Sequence, residues 1–291
     1  MLEYMTIAEL TARAKEQGKP LSEVILADQS IQMEIPEEQL YERMERSLTV
    51  MEEAIKAGMD PELRSTSGLT GGDAARMHAY AETGGMTGTF LNRAMSRAIA
   101  VAEYNAAMGK IVAAPTAGSC GVIPAVLLPY AKKYDVPDEE LIKALYVTAG
   151  FGSVIATRAS VSGAEAGCQA EIGSASAMAA AALVYLHGGT EEQMAHAVAI
   201  AIKNLLGLVC DPVAGLVEVP CVKRNAAGAM NALTAAELAL AGVTSRIPTD
   251  EVIDAMQVVG ESLPVALRET GKGGVAATPT AKKFKKAFFG E

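Results

Sequence analysis

The longest apolar run of this chain, Ile172 to Leu186, restricts its fold more than any other feature. It is Ala-rich and broken only by Gly173, Ser174 and Ser176. Ala and Leu favour helix, and the run falls short of the roughly 20 apolar residues that cross a bilayer. It predicts a buried helix over 170–186. A helix without a polar face needs neighbours on all sides, which points to a multi-helix shell.

The rest of the sequence is consistent with that shell. Half of the 291 residues are hydrophobic, aromatics are only 4% and Trp is absent, so the core is built from Ala, Leu, Val, Ile and Met. Val and Ile recur at helical spacing rather than in strand alternation. Thr6-Ile7-Ala8-Glu9 reads as a capping box with Gly18 as the stop. Helices are predicted at 22–33, 37–57, 74–82, 88–108, 122–134, 138–157, 190–206, 226–242 and 250–263. Asp73, Asp138 and Thr190 are the expected N-caps. The basic, amphipathic tail from Lys282 to Phe289 predicts a terminal helix that docks its Phe residues. The fold class is all-α, a multi-helix globular catalytic domain whose Gly/Pro-rich loops converge on one site. Residues 1–60 form a helical N-terminal region and 61–291 the catalytic body.

The formal net charge of −9 disfavours nucleic-acid binding. Met1-Leu2-Glu3-Tyr4 carries neither a basic n-region nor an apolar h-region, so no secretory signal is expected and the chain is assigned to the cytoplasm. In that compartment four cysteines are metal ligands, a nucleophile or inert core residues rather than disulfides.

Every cysteine lies in a small-residue segment: Ala114–Gly121 with Cys120, Ser160–Gln169 with Cys168, Val209–Gly215 with Cys210, and Glu218–Asn225 with Cys221. Irregular backbone lets thiolates point inward together and leaves N–H groups free for sulfide. Three thiolates leave one metal position open, as a Lewis-acid site requires. Cys168 and Cys210 are 42 positions apart and Cys210 and Cys221 are 11 apart, wider than zinc ribbons or ferredoxins. On spacing alone zinc, an iron–sulfur cluster and buried structural cysteines all stand.

The segments Ala114–Gly121, Gly163–Gln169, Cys210-Asp211-Pro212-Val213, Val219-Pro220-Cys221 and Lys223-Arg224-Asn225 resemble the bacterial iron–sulfur L-serine dehydratases. Leu267-Arg268-Glu269-Thr270, Gly273–Thr280 and the early loop Ser67–Asp73 extend the likeness over roughly residues 60–280. The resemblance implies a [4Fe–4S] cluster held by Cys168, Cys210 and Cys221. It implies a lyase that converts L-serine to pyruvate and ammonia, with an open iron taking the leaving hydroxyl. The chain looks like the α part of the two-subunit type, so a separate β chain is implied. Single-chain members can end in a cysteine that reaches the cluster; this tail ends at Gly290-Glu291 without one.

Substrate contacts are expected from Ser65, Thr66, Ser67 and Gly68, from Ser119, and from Asn225. The same serines also suit helix capping. Cys120 reads as a buried small hydrophobe. Among the three histidines, His187 suits a helix C-terminus, His196 reads as structural, and His78 follows the glycine loop. Glu165, Lys223 and Arg224 suit either a site role or surface pairing. No base is assigned within the chain, and the resemblance suggests that the β chain supplies it.

Overall fold

A computed structural model describes residues 4–290. Met1–Glu3 and Glu291, on which the leader and tail readings partly rest, lie outside the described residues. In chain order the α-helices are α1 (Ile7–Gln17), α2 (Leu21–Met33), α3 (Glu37–Gly58), α4 (Asp73–Glu82), α5 (Thr89–Ala106), α6 (Val122–Tyr134) and α7 (Asp138–Arg158). They continue as α8 (Gly163–Ala166), α9 (Ser174–Leu186), α10 (Glu191–Lys203), α11 (Cys221–Leu240), α12 (Thr249–Ser262) and α13 (Pro279–Phe289). Among the described residues the only β pairing is an isolated bridge between Cys210 and Arg268. The all-α class holds, and among the described residues no helix is long and apolar enough to cross a membrane.

Helix α9 is the axis. Every residue from Ser174 to Val184 is buried, with α6, α7, α10 and α11 packed around it. Its Ala side chains let these neighbours approach closely from each direction. Ser176 survives in this core because its hydroxyl donates to the carbonyls of Ile172 (2.7 Å) and Gly228 (2.9 Å). A second tier follows. Helix α5 lies against α3, α4, α6 and α11, α2 covers α7, and α12 covers α10.

Local signals set most helix ends. Thr6 and Glu9 form the expected capping box, Gly18 closes α1 at φ 60°, and Thr190 with Gln193 caps α10 the same way. Four expectations need correction. Asp73 and Asp138 are first-turn residues behind Gly72 and Pro137, where their carboxylates face the positive helix end. Helix α11 begins at Cys221, five residues before the expected 226, so Cys221, Lys223, Arg224 and Asn225 occupy helical turns and not a loop. The predicted 170–186 helix is divided: Gln169–Gly173 winds as a π turn before α9 begins. The tail does form a helix, yet it buries only Ala281; Phe284 and Phe289 stay 41% and 55% exposed. Phe284 stacks on Phe288 instead, with ring centroids 6.4 Å apart.

Candidate active site

Three segments far apart in sequence meet at the N-terminal end of α9. Cys168 directly precedes the π turn, a wide turn often found at functional positions. Cys210 lies in the irregular segment after α10. Its backbone is fixed on both sides, because its N–H donates to Leu267 O (2.9 Å) and its carbonyl accepts from Glu269 N (2.7 Å). That gives Leu267-Arg268-Glu269 a structural purpose. Cys221 opens α11.

All three thiols are buried and unpaired. Burial is the main force raising each pKa, to about 12 for Cys168 and for Cys221 and further still for Cys210. The Glu171 carboxylate adds to the rise at all three. Cys210 also feels Cys168 and Cys221, so the three face one low-dielectric space. The guanidinium of Arg224 pulls Cys168 and Cys221 back down. Thiols held this high are neutral alone, and a bound cation is what makes such groups thiolate ligands. Among the described residues no three His, Cys, Asp or Glu close on a single point as the ligands of one ion do.

An ion pair locks two of the segments together. Arg224 on α11 lies 2.9 Å from Asp211 Oδ1, and both side chains are largely buried. Arg224 also donates to Val209 O at 2.8 Å. The other Asp211 oxygen accepts from Val275 N at 2.7 Å. A Cβ on Gly274 would strike the Asp211 side chain, and one on Gly273 would strike the Ala266 carbonyl, which accounts for both glycines. Asn225 ties down the 114–121 loop: it accepts from Gly121 N (2.9 Å) and donates to Gly118 O (2.8 Å) and Cys221 O (3.0 Å). Ser119 is fully buried and bonds within the same loop, to Thr116 and Ala114.

The early loop reaches the same region through Glu218, three positions before Cys221. Ser65 and Ser67 both donate to Glu218 Oε2, at 2.5 and 2.7 Å. Thr66 and Gly68 between and beside them are exposed.

The remaining candidates lie elsewhere. His78 and His196 face Glu82 and Glu192 on their own helices, and His187 bonds to Tyr130. Lys223 pairs with Asp73 at 2.5 Å, and Glu165 accepts from Ser160. Cys120 is packed with Ala54 and Val101, as a small hydrophobe.

Sequence reasoning missed Glu171. Its Oε1 accepts from Thr116 Oγ1 at 2.7 Å, and its Oε2 lies 3.8 Å from Cys210 Sγ. Burial holds its carboxyl above the usual carboxylate range, against the pull of the Thr116 bond. Two glycines make room for it: a Cβ would come within 2.9 Å of Oε1 at Gly118 and 2.5 Å of Oε2 at Gly163. The signal was present, since Glu171 is the single charged residue between Cys168 and His187.

The family described as serine dehydratase alpha chain matches residues 15–276. The chain belongs to that family. It is 52% identical over 288 residues to the probable L-serine dehydratase, alpha chain, of Bacillus subtilis (strain 168), covering 99% of this chain and 96% of that one. It is 44% identical over 287 residues to the L-serine dehydratase, alpha chain, of Peptoniphilus asaccharolyticus, covering 98% of each. L-serine dehydratase 2 of Escherichia coli (strain K12) is 47% identical over 181 residues, covering 62% of this chain but 40% of that one. The family region is therefore a part of a longer chain in that relative.

Proposed function

We propose that this chain is the α chain of a cytoplasmic L-serine dehydratase, and that Cys168, Cys210 and Cys221 hold a [4Fe–4S] cluster in it. The observation that supports the reading is three buried, free thiols brought close enough at the N-terminal end of α9 to act on one another. Thiolates of this number and burial suit the irons of a cluster, and the family likeness of their segments favours a cluster over zinc. Bound there, the cluster supplies a Lewis acid for the leaving hydroxide.

The chain's own residues bind and orient. Arg224 places a positive charge beside Cys168 and Cys221, which favours their thiolate forms. The loops carrying Ser65, Thr66, Ser67, Gly68 and Ser119 are assigned to the substrate carboxylate through backbone N–H groups, because the hydroxyls of Ser65, Ser67 and Ser119 are already held by Glu218 and by the 114–121 loop. Asn225 acts by fixing the second loop. Loss of the α-proton and the β-hydroxide, together one water, from serine gives aminoacrylate. This tautomerises to an imine, which takes back one water and yields pyruvate and ammonia. The three histidines have partners outside these loops, and the family likeness is what assigns the α-proton acceptor to a separate β chain.

Anaerobically purified protein is expected to be brown, with about four iron and four sulfide per chain. With its β chain it should release pyruvate from L-serine, and Cys210→Ser should lose both colour and activity. Colourless protein containing zinc, or cluster-bearing protein that makes no pyruvate with its β chain, overturns the reading.

A further inference from the structure

L-Serine presents three polar groups, and the reading above provides for two of them, the hydroxyl and the carboxylate. Its ammonium group needs an anionic acceptor beside the thiols. Nearby acids are mostly committed. Glu218 is almost fully buried and holds Ser65 and Ser67. Asp211 holds Arg224 and Val275. Glu165 is exposed and bonds to Ser160.

Glu171 differs from all of these. It is only half-buried, so it can be reached. One oxygen is oriented by Thr116, and the other lies 3.8 Å from Cys210 Sγ. Among the described residues no Lys, Arg or His nitrogen is within ion-pair distance of it; Arg224, paired with Asp211, acts on it only from further away. Gly118 and Gly163 leave the space around its oxygens clear of side chains. Glu269 contributes further negative charge on this side, acting on both Glu171 and Cys210. A fixed, reachable carboxylate with no cation in contact, oriented by the Thr116 hydroxyl, is a seat for an ammonium ion.

We propose that Glu171 receives the α-ammonium group of the substrate and so selects an amino acid over the corresponding hydroxy acid. The proposal rests on the dehydratase reading. The test compares L-serine with 3-hydroxypropionate, which keeps the carboxylate and the hydroxyl but lacks the amino group. Both are titrated against the cluster's visible absorption in the anaerobic αβ holoenzyme, alongside pyruvate assays. In Glu171→Gln, which keeps the acceptor for Thr116, iron and sulfide content should stay at the wild-type level. L-Serine should bind at least about tenfold more weakly, with KM rising in step, while 3-hydroxypropionate binds as before. Equal weakening of both ligands, or of neither, overturns the proposal.

Should Glu171→Gln fail to hold iron, Glu171→Asp decides. With the charge kept but withdrawn by one methylene, selective weakening of L-serine supports the proposal. Loss of iron in both variants, or equal effects on both ligands, assigns Glu171 to support of the cluster and overturns it. Wild-type holoenzyme without cluster or pyruvate is a different failure, that of the dehydratase reading itself.

Discussion

At its N-terminal end α9 meets a site built from long-range polar contacts; at its C-terminal end it meets an aromatic groove built mostly from side-chain bulk. The first end holds Cys168, Glu171, which is tied to Thr116 and Cys210 55 and 39 positions away, and the Asp211–Arg224 pair, whose Asp211 is tied to Val275 64 positions away. The second is a cavity of about 530 Å³ lined by Phe90, Tyr130, Tyr134, Leu183 and His187 among others. There Tyr130 and Tyr134 rings lie 4.6 Å apart, and Lys133 Nζ stands 4.8 Å from the rings of both Phe90 and Tyr134. One rigid helix thus joins a region organised by specific long-range polar contacts to one where contacts can be exchanged. Tolerance of substitution should differ accordingly.

The largest effect is expected where a buried charge would lose its partner. Asp211→Ala leaves Arg224 without its counter-ion between the Cys210 and Cys221 segments. Breaking such a pair from one side costs about 3–5 kcal/mol. Urea unfolding should show that loss, and reconstitution should show lower iron content. A midpoint within experimental error of the wild type would mean that the polar end is not held together as described.

The next effect separates function from stability. Gly163 has no left-handed backbone requirement, so Gly163→Ala tests space alone. Its new Cβ would lie 2.9 Å from Cys210 Sγ and 2.5 Å from Glu171 Oε2. Something must move, and a shift on the order of 1 Å at a reacting centre costs about 10²-fold in rate. Pyruvate assays should show that loss, with a far smaller change in thermal midpoint. Parallel loss of both would place the glycine in the general core.

These two positions also mark what the sequence disclosed and what it left out. The buried helix and its partners were legible because apolar periodicity is local: α6 runs over the expected 122–134. The cysteine segments stood out by composition and family likeness. The partners of the polar groups did not. Ser65 and Ser67 look like open substrate donors until Glu218, about 150 positions on, is seen to accept both hydroxyls. Arg224 and Asn225 read as loop residues because Pro220 signals a break without saying that a helix starts immediately after it. Pairing across such distances is set by packing, which periodicity does not encode.

Between the two ends, the middle of α9 should respond to volume alone. Ala180 is fully buried. Ala180→Leu leaves helix propensity nearly unchanged but adds three carbons to a filled interior, at about 1–3 kcal/mol. A lower urea midpoint with unchanged iron content and KM is the expected result. Should KM also rise, strain in the middle of the helix reaches the polar end.

The smallest effect belongs to the aromatic end. Tyr130→Phe removes the bond between Tyr130 Oη and His187 Nδ1, 2.9 Å in length, and keeps the ring against Tyr134. His187 lies at the end of its helix beside an open groove, so water can replace the lost partner. The cost is then that of one ordinary hydrogen bond, about 0.5–1.5 kcal/mol. The α9 axis from His187 back to Ser174 is roughly 20 Å at 1.5 Å per residue, and no polar chain runs along its Ala-rich interior. KM and the rate of pyruvate formation should therefore match the wild type. A change in either kinetic constant would show that the two ends of α9 are coupled, and the contrast between a specified end and a permissive one would then fail at its permissive side.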